Sequence, residues 1–195
     1  MDEPITPSPS LLDPRVMLMV PRGERAARTA QWKLEARLFA VVAQRREVVL
    51  AQIKLAWWRE RLAQVAEAPD ALPKGEPLLA ELAATWNERA SLAPVVDAYE
   101  AIMLAKDGEA LAVAGVALGM AMQAGRAWGL ARAAQLAGDD SQQTAMWAQV
   151  AAAPMAREPR FVRTLDRWAQ LYAMHRGMPS LRAEGWLLLR AGVGL

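Results

Sequence analysis

Apolar residues recur every three or four positions along most of this chain, and no stretch reads as a convincing strand. The clearest case is Arg45 to Leu62, RREVVLAQIKLAWWRERL, around which the other elements are expected to pack. Leu55, Trp58, Leu62 and Val65 form one stripe at steps of three, four and three, the period of one helix face. Ile53, Ala56 and Trp57 are expected to widen that stripe, so that the helix touches more than one neighbour. Lys54 and Arg61, seven apart, face water or an anion. Before this helix, Glu24 to Ala43 carries Ala27, Ala30, Leu34, Leu38 and Val41 at helical spacing, with Trp32, Phe39 and Val42 beside them. A break near Gln44 to Glu47 separates the two, because one unbroken helix would exceed the usual globular length.

The remaining pattern yields further helices between clear punctuation. Residues 1–10 hold Pro4, Pro7 and Pro9 and read as a flexible lead, with one helical domain over residues 11–195. Leu11 to Met19 reads as a short helix capped by Asp13, with Pro14 in its first turn. Glu67 to Pro77 is a loop. Leu78 to Arg89 and Ser91 to Lys106 are helices, the second with Val95, Tyr99, Ile102 and Met103 on one face. Gly108 to Ala137 is rich in alanine and glycine. The pairs Gly115/Gly119 and Gly125/Gly129 predict close approach of a neighbouring helix or room beside a ligand, since glycine otherwise weakens a helix. Thr144 to Ala153, Arg160 to His175 and Leu181 to Arg190 complete the set, the second with Phe161, Leu165, Trp168, Leu171 and Tyr172 in a stripe. The expected fold is all-α, a single-domain bundle of about eight helices.

Composition narrows the chemistry. The chain has 195 residues, enough to bury a real core, and its alanine and leucine content favours helix over sheet. It has no cysteine, which excludes disulfides, thiolate catalysis and Cys-based metal sites. One histidine, His175, stands near a helix end and reads as a capping or solvent-facing residue rather than a catalytic base. The net charge of +2 comes without a dense basic stripe interleaved with aromatics, so no nucleic acid partner is expected. The most apolar run, Ala110 to Met122, is too short to span a bilayer, and the N-terminal residues lack the pattern of a signal peptide. A cytoplasmic location follows as the expectation, with peripheral contact at the inner face of a membrane left open.

Candidate functional residues are few. Neither a nucleophile elbow nor a phosphate-binding glycine loop is present. Mg²⁺-bridged diphosphate chemistry on helices needs carboxylates projecting together, typically at i and i+4, and no Asp/Glu pair has that spacing. Hence no metal site and no cofactor is expected. Cationic side chains offer anion binding without a metal: Arg45, Arg46, Lys54, Arg59 and Arg61 can hold a diphosphate or a lipid headgroup, or form a solvated face. Trp57 and Trp58 either pack in the core or line a lipid-like cavity. Arg59 and Glu60 either pair or stand at the surface, and Arg59 with Lys54 is a candidate anion clamp. Arg126, close to Trp128, is expected to be half-buried against Asp97 or Glu100.

The segment IKLAWWRERL resembles one carried by squalene and phytoene synthase family proteins after their first aspartate-rich helix. LLDPRVMLMVPRGERAARTAQWKLEARLFAVV is similar to the family's opening, AGRAWGLARAAQLAG to a later segment of its small bacterial members, and GMPSLRAEGWLLLRAGVGL to their C-terminal helix. The resemblance implies the all-α isoprenoid-synthase fold. Enzymes of that family join two prenyl diphosphates head to head in a cavity lined by two aspartate-rich motifs and Mg²⁺. This chain departs there. KLEARLFAVVAQRRE retains only Glu35 and Glu47 where the first motif falls, and AVAGVALGMAMQAGRAWG holds no acid where the second falls. Trp57, Trp58 and Arg59 carry over by position, with a structural and cavity-lining role. The resemblance thus implies a non-catalytic relative that binds an isoprenoid, lipid or protein partner near the membrane, like the relatives that assemble respiratory complex I. The alternative is a prenyl transferase acting on prenyl diphosphates with Mg²⁺ or an arginine-built site. A third reading is a structural domain that forms a homodimer through the glycine-rich helix or the tryptophans. The ancestral cavity is either open or filled by Met17, Met19, Met103, Met120 and Met122.

Overall fold

The computed structural model describes residues 14–44, 47–67, 75–86, 92–154 and 160–174. Among these, nine α-helices occur and no strand. They are α1 (Pro14–Met17), α2 (Arg25–Ala43), α3 (Val48–Glu67), α4 (Pro77–Thr85), α5 (Ala93–Leu104), α6 (Gly108–Ala121), α7 (Arg126–Gln135), α8 (Asp140–Ala152) and α9 (Arg160–Met174). The chain is an all-α single-domain bundle. The expected lead over residues 1–10, the Asp13 cap, His175 and the helix over Leu181 to Arg190 lie outside the described residues.

The bundle has two groups of helices. α2 to α5 pack among themselves, as do α6 to α9, and the α5–α6 contact joins the groups. The inner stripes are those the spacing marks. Leu34 and Leu38 on α2, Leu55, Trp58 and Leu62 on α3, and Leu165 and Trp168 on α9 are all buried. Trp32, Trp128, Trp168 and Tyr99 are the largest fully buried side chains, so aromatic rings and leucines fill the interior. Met122 is buried and Met17, Met19 and Met103 are partly so, but Met120 faces solvent. The widened stripe of α3 is not found. Ile53, Ala56 and Trp57 are exposed, because α2, α4 and α5 cover one side of α3 only.

Local signals fix the helix ends. Glu76 precedes Pro77 and accepts from the Leu78 amide, Asp107 accepts from Ala110 at 2.8 Å, and Asp139 accepts from Gln142 at 2.8 Å. The Asp139 cap starts α8 at Asp140, ahead of the expected Thr144. α4 stops at Thr85, where Trp86 leaves the helical conformation, and α5 stops at Leu104 for the same reason at Ala105.

The alanine- and glycine-rich stretch is the main departure. It forms two helices, not one, and Arg126 begins the second instead of lying inside a helix. The chain turns at Met122 to Gly125, with positive φ at Gln123 (50°) and Gly125 (95°). α6 and α7 then run antiparallel with backbones in contact. A Cβ on Gly119 would strike the Gly125 carbonyl, one on Gly129 the Gly115 carbonyl, and one on Gly115 would stand 2.9 Å from the Ala133 Cβ. Gly115, Gly119 and Gly129 therefore meet across one seam where close packing is their use, while Gly125 supplies the turn with its positive φ and leaves room for the Asp166 carboxylate.

This seam makes a prediction. Gly119→Ala, favourable in an isolated helix, will destabilise the protein by about 2 kcal/mol or more in chemical denaturation. Gly108→Ala, where a Cβ meets nothing within 4 Å, will cause no loss.

Candidate functional site

Helix α2 buries three polar residues on its inner face, Arg28, Gln31 and Glu35, among Ala30, Trp32, Leu34 and Leu38. Glu35 is the centre of a buried cluster. Arg132 of α7 grips its carboxylate with both arms of the guanidinium, Nε to Oε1 at 2.7 Å and Nη2 to Oε2 at 2.9 Å. The phenol of Tyr99, on α5, donates to the same Oε1. The Arg132 guanidinium also stacks over Phe39 at 3.9 Å, with Trp128 at 5.8 Å. Burial pushes the Tyr99 phenol well above its ordinary range, and the Glu35 charge adds to that while Arg132 opposes it. For Arg132, burial works to lower the guanidinium, but Glu35 and then Tyr99 outweigh it, and the net direction is upward.

A second polar group lies along α2. Arg28 donates to Gln31 at 3.0 Å and to Gln123 in the turn between α6 and α7, and stands 5.5 Å from the Phe161 ring of α9. Asp166 of α9 completes the link. Its buried carboxylate accepts from the Trp128 amide at 2.9 Å, in the first turn of α7. The N-cap of α7 is Gly125, which has no side chain to offer, and Asp166 occupies the space that one would fill. A carboxylate from another helix thus caps α7 and meets the positive end of its dipole.

The side-chain nitrogens of Gln31, Trp32, Trp128 and Trp168 are buried and meet no acceptor. A Mg²⁺ ion needs the reverse, several carboxylate or carbonyl oxygens around one point. Glu35, on the helix where the first acidic motif would fall, is already committed to Arg132 and Tyr99, and Glu47 is exposed at the start of α3. Among the described residues no group of three or more Asp, Glu or His side chains is placed to hold a metal ion. Among the described residues the interior acids do not form a donor set that fits Mg²⁺.

Of the sequence-marked residues, Lys54, Trp57, Trp58, Arg59 and Arg126 are described, and they occupy separate places. Arg45 and Arg46 lie outside the described residues. Lys54 is exposed and lines a groove of about 620 Å³ at the α2–α3 corner, walled by Val41, Ala43, Leu50 and Ala51. Trp58 is 6% exposed and belongs to the core, whereas Trp57 is 38% exposed, its ring edge-on to Trp58 at a centroid distance of 5.1 Å. Arg59 points to α5, where it binds Asp97 at 2.7 Å and Glu100 at 2.5 Å. Those hydrogen bonds, Glu100 first, hold its guanidinium above its ordinary value. At about 100° per residue Lys54 and Arg59 project from different sides of α3, so they form no common clamp. Glu60 pairs with Arg61 at 2.7 Å and not with Arg59. Arg126 is exposed at the first position of α7, and the carboxylates expected for it are held by Arg59.

Among the described residues, two apolar surfaces outside the core face solvent. One is the outer face of α3. The other is a shallow depression of about 670 Å³ between α5 and α6, lined by Leu104, Val113 and Ala117 and edged by Lys106, Asp107 and Glu109. Among the described residues no helix is long and apolar enough to cross a membrane. No protein-family model, curated protein or solved structure matches this chain.

Glu35→Gln will leave the Arg132 charge buried without its counter-ion. A loss of about 3–5 kcal/mol in urea unfolding is expected. A loss below about 1 kcal/mol would show that the pair carries little of the fold.

Proposed function

We propose that this chain is a non-catalytic, squalene/phytoene synthase-like protein of the isoprenoid-synthase type. It acts by binding an isoprenoid, a lipid or a protein partner near a membrane, as in the assembly of a respiratory complex. The observation that carries this reading is the state of Glu35. In the resembling synthases the corresponding stretch supplies acids to Mg²⁺, whereas here its one interior acid is consumed by Arg132 and Tyr99. Freeing that carboxylate for a metal would leave a buried guanidinium unpaired, which is costly.

Calorimetric titration with a non-hydrolysable farnesyl diphosphate analogue, with and without Mg²⁺, tests this reading. The expected result is binding that is absent or indifferent to Mg²⁺. Tight binding that requires Mg²⁺ would overturn it and favour the prenyl transferase alternative, to be followed by product analysis.

A further inference from the structure

Helix α6 gives one side to its neighbours and leaves the other bare. Leu111, Ala114, Gly115, Leu118 and Gly119 are buried, with α5 and α7 packed on that side. Ala110, Val113, Ala117 and Met120 are exposed, Val113 by 66% and Met120 by 74%. They follow at steps of three, four and three, the spacing of the seam along which one helix packs on another. No charged residue occurs between Glu109 and Arg126. A helix on the surface of a bundle ordinarily carries charges on its solvent side, and a contiguous apolar face marks an interaction site.

The order of sizes along this seam indicates what covers it. The four positions are symmetric in register about position 115. When two copies of α6 lie antiparallel about a two-fold axis there, Ala110 of each copy meets Met120 of the other, and Val113 of each meets Ala117 of the other. Every layer then sets a larger side chain against an alanine, which lets the helices approach closely without a clash or a void. The surroundings agree. Ala110 and Val113 belong to the shallow depression of about 670 Å³ between α5 and α6, which Leu104 also lines. Met120 projects at the other end of the helix, roughly 15 Å along the axis from Ala110, so it is the Met120 of a second copy that fills this depression. A parallel alignment would set Met120 on Met120 and leave the depression open. The antiparallel one also brings the end of α6 that exposes Lys106, Asp107 and Glu109, negative on balance, beside the end where Arg126 is exposed. The outer face of α3 lacks this symmetry. Lys54 stands next to Ile53 at its middle, and a two-fold axis there would draw two lysines together.

We infer that this chain forms a homodimer through the outer face of α6, with the two copies of the helix antiparallel about position 115. The inference concerns the chain's own assembly and does not rest on the binding role proposed above. A contact built on one helix from each copy is smaller than the roughly 800 Å² per partner of a typical stable interface, so the association is reversible and depends on concentration.

Sedimentation equilibrium of the full chain, from about 1 to 200 µM, tests the inference. The mass is expected to rise from 21.3 kDa towards twice that value. Val113→Glu and Met120→Glu, both at exposed positions, are each expected to weaken the dimer about tenfold or more. Ile53→Glu on α3 will leave it unchanged, and circular dichroism checks that each variant keeps its helices. The chain has no cysteine, so introduced thiols report the alignment. A mixture of Ala110→Cys and Met120→Cys chains is expected to give a disulfide-linked dimer on oxidation. Neither variant will do so alone, because like positions then lie roughly 15 Å apart. A monomer at every concentration, a dimer that the folded Val113→Glu and Met120→Glu chains retain at full strength, or a dimer that Ile53→Glu dissociates would overturn the inference. So would cross-linking of Met120→Cys alone as readily as the mixture, since the helices would then be parallel. These outcomes are separate from the diphosphate titration, which tests the non-catalytic reading on its own.

Discussion

The carboxylate of Glu35 is the point at which three helices depend on one another. It lies on α2, receives both arms of Arg132 from α7 and accepts a hydrogen bond from the phenol of Tyr99 on α5. α2 and α5 belong to one group of helices and α7 to the other, so the cluster ties the two halves together at their centre. Such a cluster does not by itself make a protein stable. Desolvating a carboxylate and a guanidinium costs several kcal/mol, and a well-packed apolar replacement often does as well. What it supplies is specificity, because the fork geometry, the phenol and the Phe39 face accept one relative placement of α2, α5 and α7. The same constraint limits the chemistry. An acid held in this way is not a metal ligand, and the helix that carries it does not offer another in the interior.

The α6–α7 hairpin depends on a complementary device. Gly115, Gly119 and Gly129 let two backbones touch, which buries alanine-rich faces that have little side chain to contribute, while Gly125 leaves room for Asp166. The sharp turn between the helices leaves α7 without its own capping side chain, and Asp166 caps it from α9. Arg28 then reaches from α2 to Gln123 in that turn and to Phe161 at the start of α9. The seam and its polar closures fix the second group of helices where the Arg132 side chain can meet Glu35. Packing and polar contacts are thus arranged in series: the glycines position α7, and α7 positions Arg132.

Much of the fold was legible because helical periodicity is local. The stripes through Leu34 and Leu38, through Leu55, Trp58 and Leu62, and through Leu165 and Trp168 are all buried, and the glycine pairs form a close seam. The reading erred where the answer depends on neighbours. Ile53 and Trp57 look like core residues by type, but α3 is covered on one side only. The break at Met122 to Gly125 interrupts a run with no proline, and it is decided by Gly125 and by Asp166, which lies more than three dozen residues later. The central cluster was missed. Glu35 and Arg132 are separated by 97 positions, and nothing in the spacing of either pairs them. One signal was present: Arg28, Gln31 and Glu35 occur at helical steps on the same face as Leu38 and Val42. Polar residues on a buried stripe demand partners. Arg59 had to be assigned the carboxylates Asp97 and Glu100 by the packing of α3 on α5, since Arg126 offered the same charge at no greater distance from Tyr99 in sequence.

Two features stand out among the described residues: a buried acid committed to Arg132 and Tyr99, and an exposed apolar arc on the outer side of α3. The first is the more fundamental, because a free Glu35 would reopen the possibility of a metal-dependent site. A double-mutant cycle on Glu35 and Arg132, each replaced by leucine and followed by urea unfolding, measures it most directly. The two single variants should each lose more stability than the double variant, with a coupling of at least about 1 kcal/mol. Additive losses, with no coupling, would mean that Glu35 is not held by Arg132 and would contradict this account of the centre of the bundle.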